Sequence, residues 1–156
     1  HSMDPSLHDN QRLITSKISK LDRQDIITTK EPDNQSIYVV KRIIGLPGDR
    51  VEMKNNVLTI NGKEYDEPYL NEFKEKFKKD KLFDEYSYNK AFQEQAANAT
   101  SFTNDFDVTV PNDQYFVLGD NRLISKDSRI FGFVDKSLIQ GKVILRFWPL
   151  NEFKLF

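Results

Sequence analysis

The stretch IYVVKRIIGL, residues 37–46, most constrains the fold, because β-branched and aromatic residues dominate it. One basic pair, Lys41 and Arg42, interrupts the apolar residues. The stretch therefore predicts a mostly buried strand. Because neighbouring side chains of a strand point to opposite faces, Lys41 is expected to share a face with Val39 and Ile43, and Arg42 to point the other way.

Strand patterns recur on both sides of this stretch. RLITSKISK, residues 12–20, alternates in part, and QDIITTK, residues 24–30, is rich in β-branched residues. RVEMKNNVLTINGKEY, residues 50–65, predicts strands joined by turns at Asn55-Asn56 and Asn61-Gly62. Apolar and aromatic segments return in DVTVP, QYFVLGD, FGFV and VILRFW. The predicted fold class is therefore mainly β.

Residues 66–107 differ in character from the rest of the chain. Leu70, Phe73 and Phe77 recur at helical spacing, and the lysines and glutamates between them predict a solvated face. The later segment EQAANATSFTNDF is polar and rich in small residues. We therefore predict an inserted lobe of loops with one short helix. The predicted division is a β core of residues 1–65 and 108–156, and a smaller, non-catalytic variable lobe of residues 66–107.

Composition excludes several classes of function. The 156 residues include no cysteine, which rules out disulfides, thiol catalysis and cysteine-bound metals, and the net charge of −1 does not suggest a nucleic-acid partner. No stretch approaches the ~20 apolar residues of a membrane span. Because the chain starts HSMDP without an initial methionine, we expect it to be a fragment of a longer protein.

Ser2 is a candidate nucleophile only if a base can take its proton. The two histidines, His1 and His8, lie at the N-terminal end, where a fold holds a base poorly, and His8 is expected to be an ordinary surface histidine. A lysine can replace histidine when burial keeps it neutral. Lys41 has the apolar surroundings that this requires, although a lysine on an edge strand that extends its amine to solvent fits the same pattern.

A polar loop, GDNRLISKDSR at residues 119–129, lies between apolar segments. Loops of this kind often build functional sites on a rigid core. The alternative is a loop that ion pairs such as Asp127 with Arg129 hold in place. Both interpretations can apply to different residues of the loop.

Three blocks together resemble the motifs of type I signal peptidases: SMDPSL at residues 2–7, KRIIGLPGD at residues 41–49 and GDNRLISKDSR. They occur in the order found in that family. NGKEYDEPYL and FGFVDKSLIQGKVILRFWP also look like its Gram-positive branch. The resemblance covers nearly the whole chain, and it is weakest across residues 66–107.

The resemblance implies a Ser–Lys serine protease in which Ser2 is the nucleophile, Lys41 is the general base, and Ser125 orients the lysine amine. The implied catalytic support comes from four further residues, namely Asp120, Arg122, Asp127 and Arg129. The implied substrate-binding residues are Met3, Leu7, Val39 and Val40. Met3, Leu7 and Val40 fit simple core packing equally well.

The resemblance also implies a fold and a reaction. The fold would be an antiparallel β-sheet catalytic core of signal-peptidase type, with a variable second lobe. The reaction would remove signal peptides from exported preproteins after small-x-small (Ala-x-Ala) sites, without a metal or organic cofactor. The protein would act at the extracytoplasmic face of the cell membrane, held there by a single-pass anchor missing from this chain, with signal peptides and the membrane surface as its partners and no nucleic acid.

The sequence departs from the family pattern at several positions. Ser6 stands where threonine is usual, and Leu123 replaces an acidic residue. Arg23-Gln24-Asp25 replaces Arg-Gly-Asp, a mild change if the backbone needs no glycine conformation there. The segment that usually precedes the nucleophile is missing, and it can supply an oxyanion donor whose loss costs ~10²–10³ in rate. We therefore expect this chain alone to be weakly active or inactive.

Four alternatives remain open from the sequence. A non-catalytic relative would bind signal peptides without cutting them, and a self-cleaving repressor would need a DNA-binding domain that the sequence does not suggest. Ala97-Asn98-Ala99 has the form of a cleavage site, but it also fits small residues that fill a loop. The last alternative concerns an aromatic set that fits either a membrane-interface patch or the core, namely Phe131, Phe133, Phe147 and Trp148.

Overall fold

The computed structural model describes residues 1–17 and 20–156, and these contain eleven strands and three α-helices. The strands are β1 (Arg12–Ser16), β2 (Ile26–Glu31), β3 (Asn34–Gly45), β4 (Arg50–Lys54), β5 (Val57–Ile60), β6 (Lys63–Tyr65), β7 (Phe106–Thr109), β8 (Gln114–Leu118), β9 (Val134–Asp135), β10 (Ile139–Trp148) and β11 (Lys154–Leu155). The helices are α1 (Asn71–Asp80), α2 (Lys90–Asn98) and α3 (Ser128–Phe131). Ile18 and Ser19 of the predicted strand at residues 12–20 lie outside the described residues.

The larger sheet is antiparallel and has the strand order β1-β10-β2-β3-β8-β9, with β11 beside β10. The predicted mainly β, antiparallel class is confirmed. The long strand β3 lies near the middle of this sheet. It pairs with β2 through Lys41 opposite Ile27, and with β8 from Arg42 to Gly45. Lys41 therefore lies one residue before the point where β8 joins β3.

The smaller sheet has the order β6-β5-β4-β7. Its predicted turns are confirmed, since Asn55, Asn56 and Asn61 have φ angles of 51°, 63° and 52°, and Gly62 has 83°. These left-handed conformations suit two-residue hairpin turns. One buried cluster contains residues of both sheets, such as Ile44 and Leu58, and so joins them into a common core.

Residues 66–107 contain two α-helices, whereas the sequence predicted one. Phe73 and Phe77 lie in α1 and are buried, as their spacing predicts. The prediction missed α2 because only one of its residues, Ala96, is fully buried, so its apolar pattern is weak. Asn89 caps the N-terminus of this helix, and its side chain accepts a hydrogen bond from the Phe92 N–H. The division into core and lobe stays a prediction.

The backbone at Gln24 corrects one expectation. We expected the Arg23-Gln24-Asp25 departure to be mild if no glycine conformation was needed, but Gln24 has a φ of 71°. A residue other than glycine is strained in this left-handed region, because its Cβ lies too close to the backbone. The neighbouring Arg23 guanidinium forms two hydrogen bonds of 2.8 Å with the Asp49 carboxylate, which fixes the chain here.

We predict that Gln24→Gly stabilises the protein relative to Gln24→Ala by about 1 kcal/mol, because only glycine adopts a positive φ without strain. The alanine variant is the matched control, since both variants lose the hydrogen bond from the Gln24 amide to the Asp66 carbonyl. Urea denaturation measures the difference. Equal midpoints for the two variants would show that this backbone is unstrained.

The aromatic residues that fitted either the core or a membrane-interface patch differ in their burial. Phe131 and Phe133 pack against buried clusters, whereas Trp148 is 45% exposed. Near Trp148 in sequence, Leu150 and Leu155 are also exposed. Among the described residues, no helix has both the length and the apolar character needed to cross a membrane.

Candidate active site

The structure brings Ser2 and Lys41 together, although 39 positions separate them in the sequence. The Lys41 Nζ lies 2.8 Å from the Ser2 Oγ and 3.4 Å from the Ser125 Oγ. Lys41 is buried and only 3% exposed, whereas Ser2 is half-buried. The lysine amine therefore lies between two hydroxyls, and one of these is accessible from solvent.

Burial controls the charge of this lysine. It lowers the pKa of Lys41 from 10.5 to about 8, because the low-dielectric surroundings disfavour the ammonium form. The negative charges of Asp127 and Glu31 oppose this shift. Near neutral pH an appreciable fraction of Lys41 is consequently a free amine, which can accept a proton.

A pocket of about 350 Å³ opens beside Ser2. All four residues proposed to bind substrate line it, namely Met3, Leu7, Val39 and Val40. Met3 and Leu7 also pack in a buried cluster with Ile26 and Val143. The two alternative roles of these side chains are therefore compatible, since the same residues form part of the core and the wall of the pocket.

The backbone edge of β3 is open beside this pocket. Within the described residues, β8 pairs with β3 only from Arg42 onward, so the preceding residues, 37–41, have no strand partner on that side. Their other edge pairs with β2. Tyr38 on this section is 63% exposed. An extended peptide can add to such an edge as a further strand.

The loop at residues 119–129 passes close to both members of the pair. A Cβ at Gly119 would lie 2.0 Å from the Ser125 Oγ and 2.7 Å from the Ser2 carbonyl oxygen. Only glycine leaves room for these atoms to approach so closely. The loop can therefore place Ser125 beside Lys41 without displacing Ser2.

Asp127 and Arg129 form an ion pair within this loop. The Arg129 guanidinium donates two hydrogen bonds of 2.8 Å to the Asp127 carboxylate, which also accepts the Gly119 N–H at 3.0 Å. Asp127 is fully buried. The pair thus ties the start of the loop to its end.

Asp120 forms a buried ion pair with Arg42, a residue to which the sequence assigned no role. The two bonds from the guanidinium to the carboxylate measure 2.9 and 2.8 Å. The Ser6 hydroxyl donates to the same carboxylate, a bond that threonine could also make. A charged residue inside an apolar run was the available signal for Arg42, because such a residue needs a buried partner.

Arg122 pairs with Glu67, which sequence reasoning also missed. The guanidinium lies 2.5 Å from the Glu67 carboxylate, and the two side chains are only 0% and 2% exposed. The Arg122 Nε donates to the Gly119 carbonyl at 2.9 Å. Glu67 thus connects the segment after β6 to the loop at residues 119–129.

Asn121 holds the chain around Ser2. Its backbone N–H donates to the Ser2 carbonyl at 2.9 Å, and its side-chain amide donates to the His1 carbonyl at 3.0 Å. The nearby His8 ring lies 2.8 Å from the Asp4 carboxylate, so its contact is with Asp4. The base that is hydrogen-bonded to the Ser2 hydroxyl is Lys41.

Comparison with known proteins identifies similar chains. A sequence profile described as "Signal peptidase, peptidase S26" matches residues 1–148. The chain is 42% identical to "Signal peptidase I" of Streptococcus pneumoniae, over 100% of this chain and 82% of that protein. It is also 42% identical to "Signal peptidase IB" of Staphylococcus aureus, over 98% of this chain and 76% of that protein. A crystal structure of a signal peptidase I from Enterococcus faecalis superposes with a TM-score of 0.60 at 36% identity, covering 80% of this chain and 97% of the other.

Proposed function

Because the chain belongs to the signal peptidase family, peptidase S26, we propose that it removes signal peptides from exported preproteins with Ser2 as nucleophile and Lys41 as general base. One observation carries the assignment of the two residues. A buried lysine with its pKa lowered to about 8 lies 2.8 Å from a half-buried serine hydroxyl. This geometry is what a Ser–Lys pair needs for activation of the serine.

The proposed reaction has two steps. Neutral Lys41 accepts the Ser2 hydroxyl proton as the Ser2 oxygen attacks the carbonyl carbon of the scissile bond, and the lysine then gives that proton to the leaving amine. In the second step Lys41 takes a proton from the water that attacks the acyl-serine ester, and it gives this proton to the Ser2 oxygen as the signal peptide leaves. The Ser125 hydroxyl, 3.4 Å from the lysine amine, keeps that amine aimed at Ser2.

Substrate binding follows from the open edge of β3. We propose that the residues before the cleavage site lie extended along Val39 and Val40, where the main chain offers unpaired hydrogen-bonding groups. The pocket lined by Met3 and Leu7 then accepts the small side chains. The Ser2 N–H has no acceptor among residues 1–17 and 20–156, so it is free to stabilise the oxyanion.

Cleavage of defined peptides tests this proposal. The full-length protein is incubated with a synthetic signal peptide that carries Ala-x-Ala before the cleavage bond, and mass spectrometry locates the cut. The control peptide has phenylalanine in place of both alanines. We expect a cut after the second alanine and at least a tenfold slower reaction of the control, because the proposed specificity is for small side chains at these two positions. Binding of the first peptide without any cut would favour a non-catalytic signal-peptide-binding protein.

We predict that kcat/KM rises with pH up to a plateau, with a midpoint near pH 8. The sign follows from the role of Lys41, since only its neutral form accepts a proton and that form predominates above the pKa of about 8. Initial rates from pH 6 to pH 10 on an uncharged peptide measure the profile. A flat profile across this range would contradict a lysine base.

We also propose that the protein works at the extracytoplasmic face of the cell membrane. Exposed Trp148, Leu150 and Leu155 support contact with a membrane surface, since aromatic and apolar side chains of this kind insert at the lipid interface. Trp148 is the single tryptophan of the chain, so its fluorescence reports this contact directly. A blue shift on addition of phospholipid vesicles is expected, and an unchanged spectrum would argue against contact through this surface.

A further inference from the structure

Tyr86, between α1 and α2, reaches the loop at residues 119–129. Its hydroxyl donates a hydrogen bond to the side-chain oxygen of Asn121, and both residues are only 1% exposed. Burial raises the pKa of Tyr86, so the hydroxyl stays protonated and remains a donor. The bond fixes which end of the Asn121 amide faces Tyr86, and the amide nitrogen is thereby aimed at the His1 carbonyl.

Tyr88 makes a second and independent contact with the same part of the chain. Its ring stacks on the His1 ring with centroids 4.3 Å apart and an interplanar angle of 22°. Phe92 of α2 meets Tyr86 and Tyr88 edge-on, at 6.3 and 6.1 Å. A single helix side chain therefore braces both tyrosines.

We infer that the segment at residues 66–107 positions the nucleophile, with Tyr86 acting through Asn121 and Tyr88 acting through His1. The inference rests on the proposed role of Ser2. Tyr86 contacts Asn121, whose backbone N–H also donates to the Ser2 carbonyl. Tyr88 contacts His1, the residue that precedes Ser2.

The two tyrosines use different atoms, which gives the test a characteristic pattern. Tyr86 acts through its hydroxyl and Tyr88 through its ring. We expect Tyr86→Phe to lower kcat about tenfold with little change in KM, because a nucleophile displaced by a fraction of an ångström attacks less often. Tyr88→Phe should keep the wild-type kcat, whereas Tyr88→Ala should lower it.

If Tyr86 had only a structural role, Tyr86→Phe would lower the melting temperature and leave kcat unchanged. Tyr115→Phe is the control, since it removes the hydroxyl of another buried tyrosine, which lies in β8 and packs in a different buried cluster from Met3. All variants are assayed well below their melting temperatures on the Ala-x-Ala peptide. The midpoint of the pH profile should not move in Tyr86→Phe, because Lys41 is untouched.

A double variant tests the route through Asn121. If Tyr86 acts only by orienting that amide, then adding Tyr86→Phe to Asn121→Ala should not lower kcat further. Wild-type kcat in Tyr86→Phe, while Ser2→Ala is inactive, would overturn the inference and leave the proposed function intact. Undiminished cleavage by Ser2→Ala would instead overturn the proposed function.

Discussion

Ser2→Ala and Lys41→Met are each expected to lower kcat on the Ala-x-Ala peptide by at least ~10³-fold, with little change in peptide binding. The serine variant removes the atom that attacks the carbonyl. The methionine variant keeps an apolar chain of similar length in the buried site but has no amine to accept the proton. Rates from product formation and affinities from fluorescence anisotropy separate the two effects.

The controls replace the same residue types away from the site. Lys142→Met removes a lysine of β10 that pairs with Asp25 at 3.2 Å, and Ser137→Ala removes an exposed hydroxyl. Both should cut at the wild-type rate. The double variant of Ser2 and Lys41 should be no slower than either single one, because residues that act as a unit give non-additive losses. An active Lys41→Met variant would mean that another group takes the proton.

The β core and the surroundings of Lys41 could be predicted because both depend on local pattern. Alternation places a side chain on a face of a strand, so the apolar neighbours of Lys41 indicated that it could be buried, although the same pattern fitted an edge-strand lysine. The hairpin turns followed from Asn and Gly, which adopt a positive φ readily. In both cases the deciding physics acts within a few residues of the position concerned.

The supporting contacts could not be predicted, because their partners are far apart in the sequence. Glu67 and Arg122 are 55 positions apart, and Tyr86 and Asn121 are 35 apart. Nothing in the residues around Glu67 indicates that its carboxylate is buried. The positive φ of Gln24 was also hidden, since glutamine carries no signal for that conformation.

Glu67→Gln is expected to lower the free energy of unfolding by about 3 kcal/mol, because it leaves the buried guanidinium of Arg122 without its ion-pair partner. The substitution keeps the size of the side chain, so the loss reports charge rather than a cavity. The same carboxylate also accepts the Tyr69 hydroxyl at 2.9 Å. Against a total stability of roughly 5–15 kcal/mol for a domain, this loss is large.

Urea denaturation measures the effect, and Glu64→Gln on the exposed strand β6 is the matched control, with an expected change below about 0.5 kcal/mol. In Glu67→Met combined with Arg122→Met, no unpaired charge remains, so this double variant should be more stable than Glu67→Gln. It should nevertheless lose activity, because the Gly119 carbonyl then lacks the donor that holds the loop beside Ser125. If Glu67→Gln unfolds at the wild-type urea concentration, the pair contributes little to stability. The segment at residues 66–107 and the loop at residues 119–129 would then be held together mainly by their other contacts, such as the hydrogen bond between Tyr86 and Asn121.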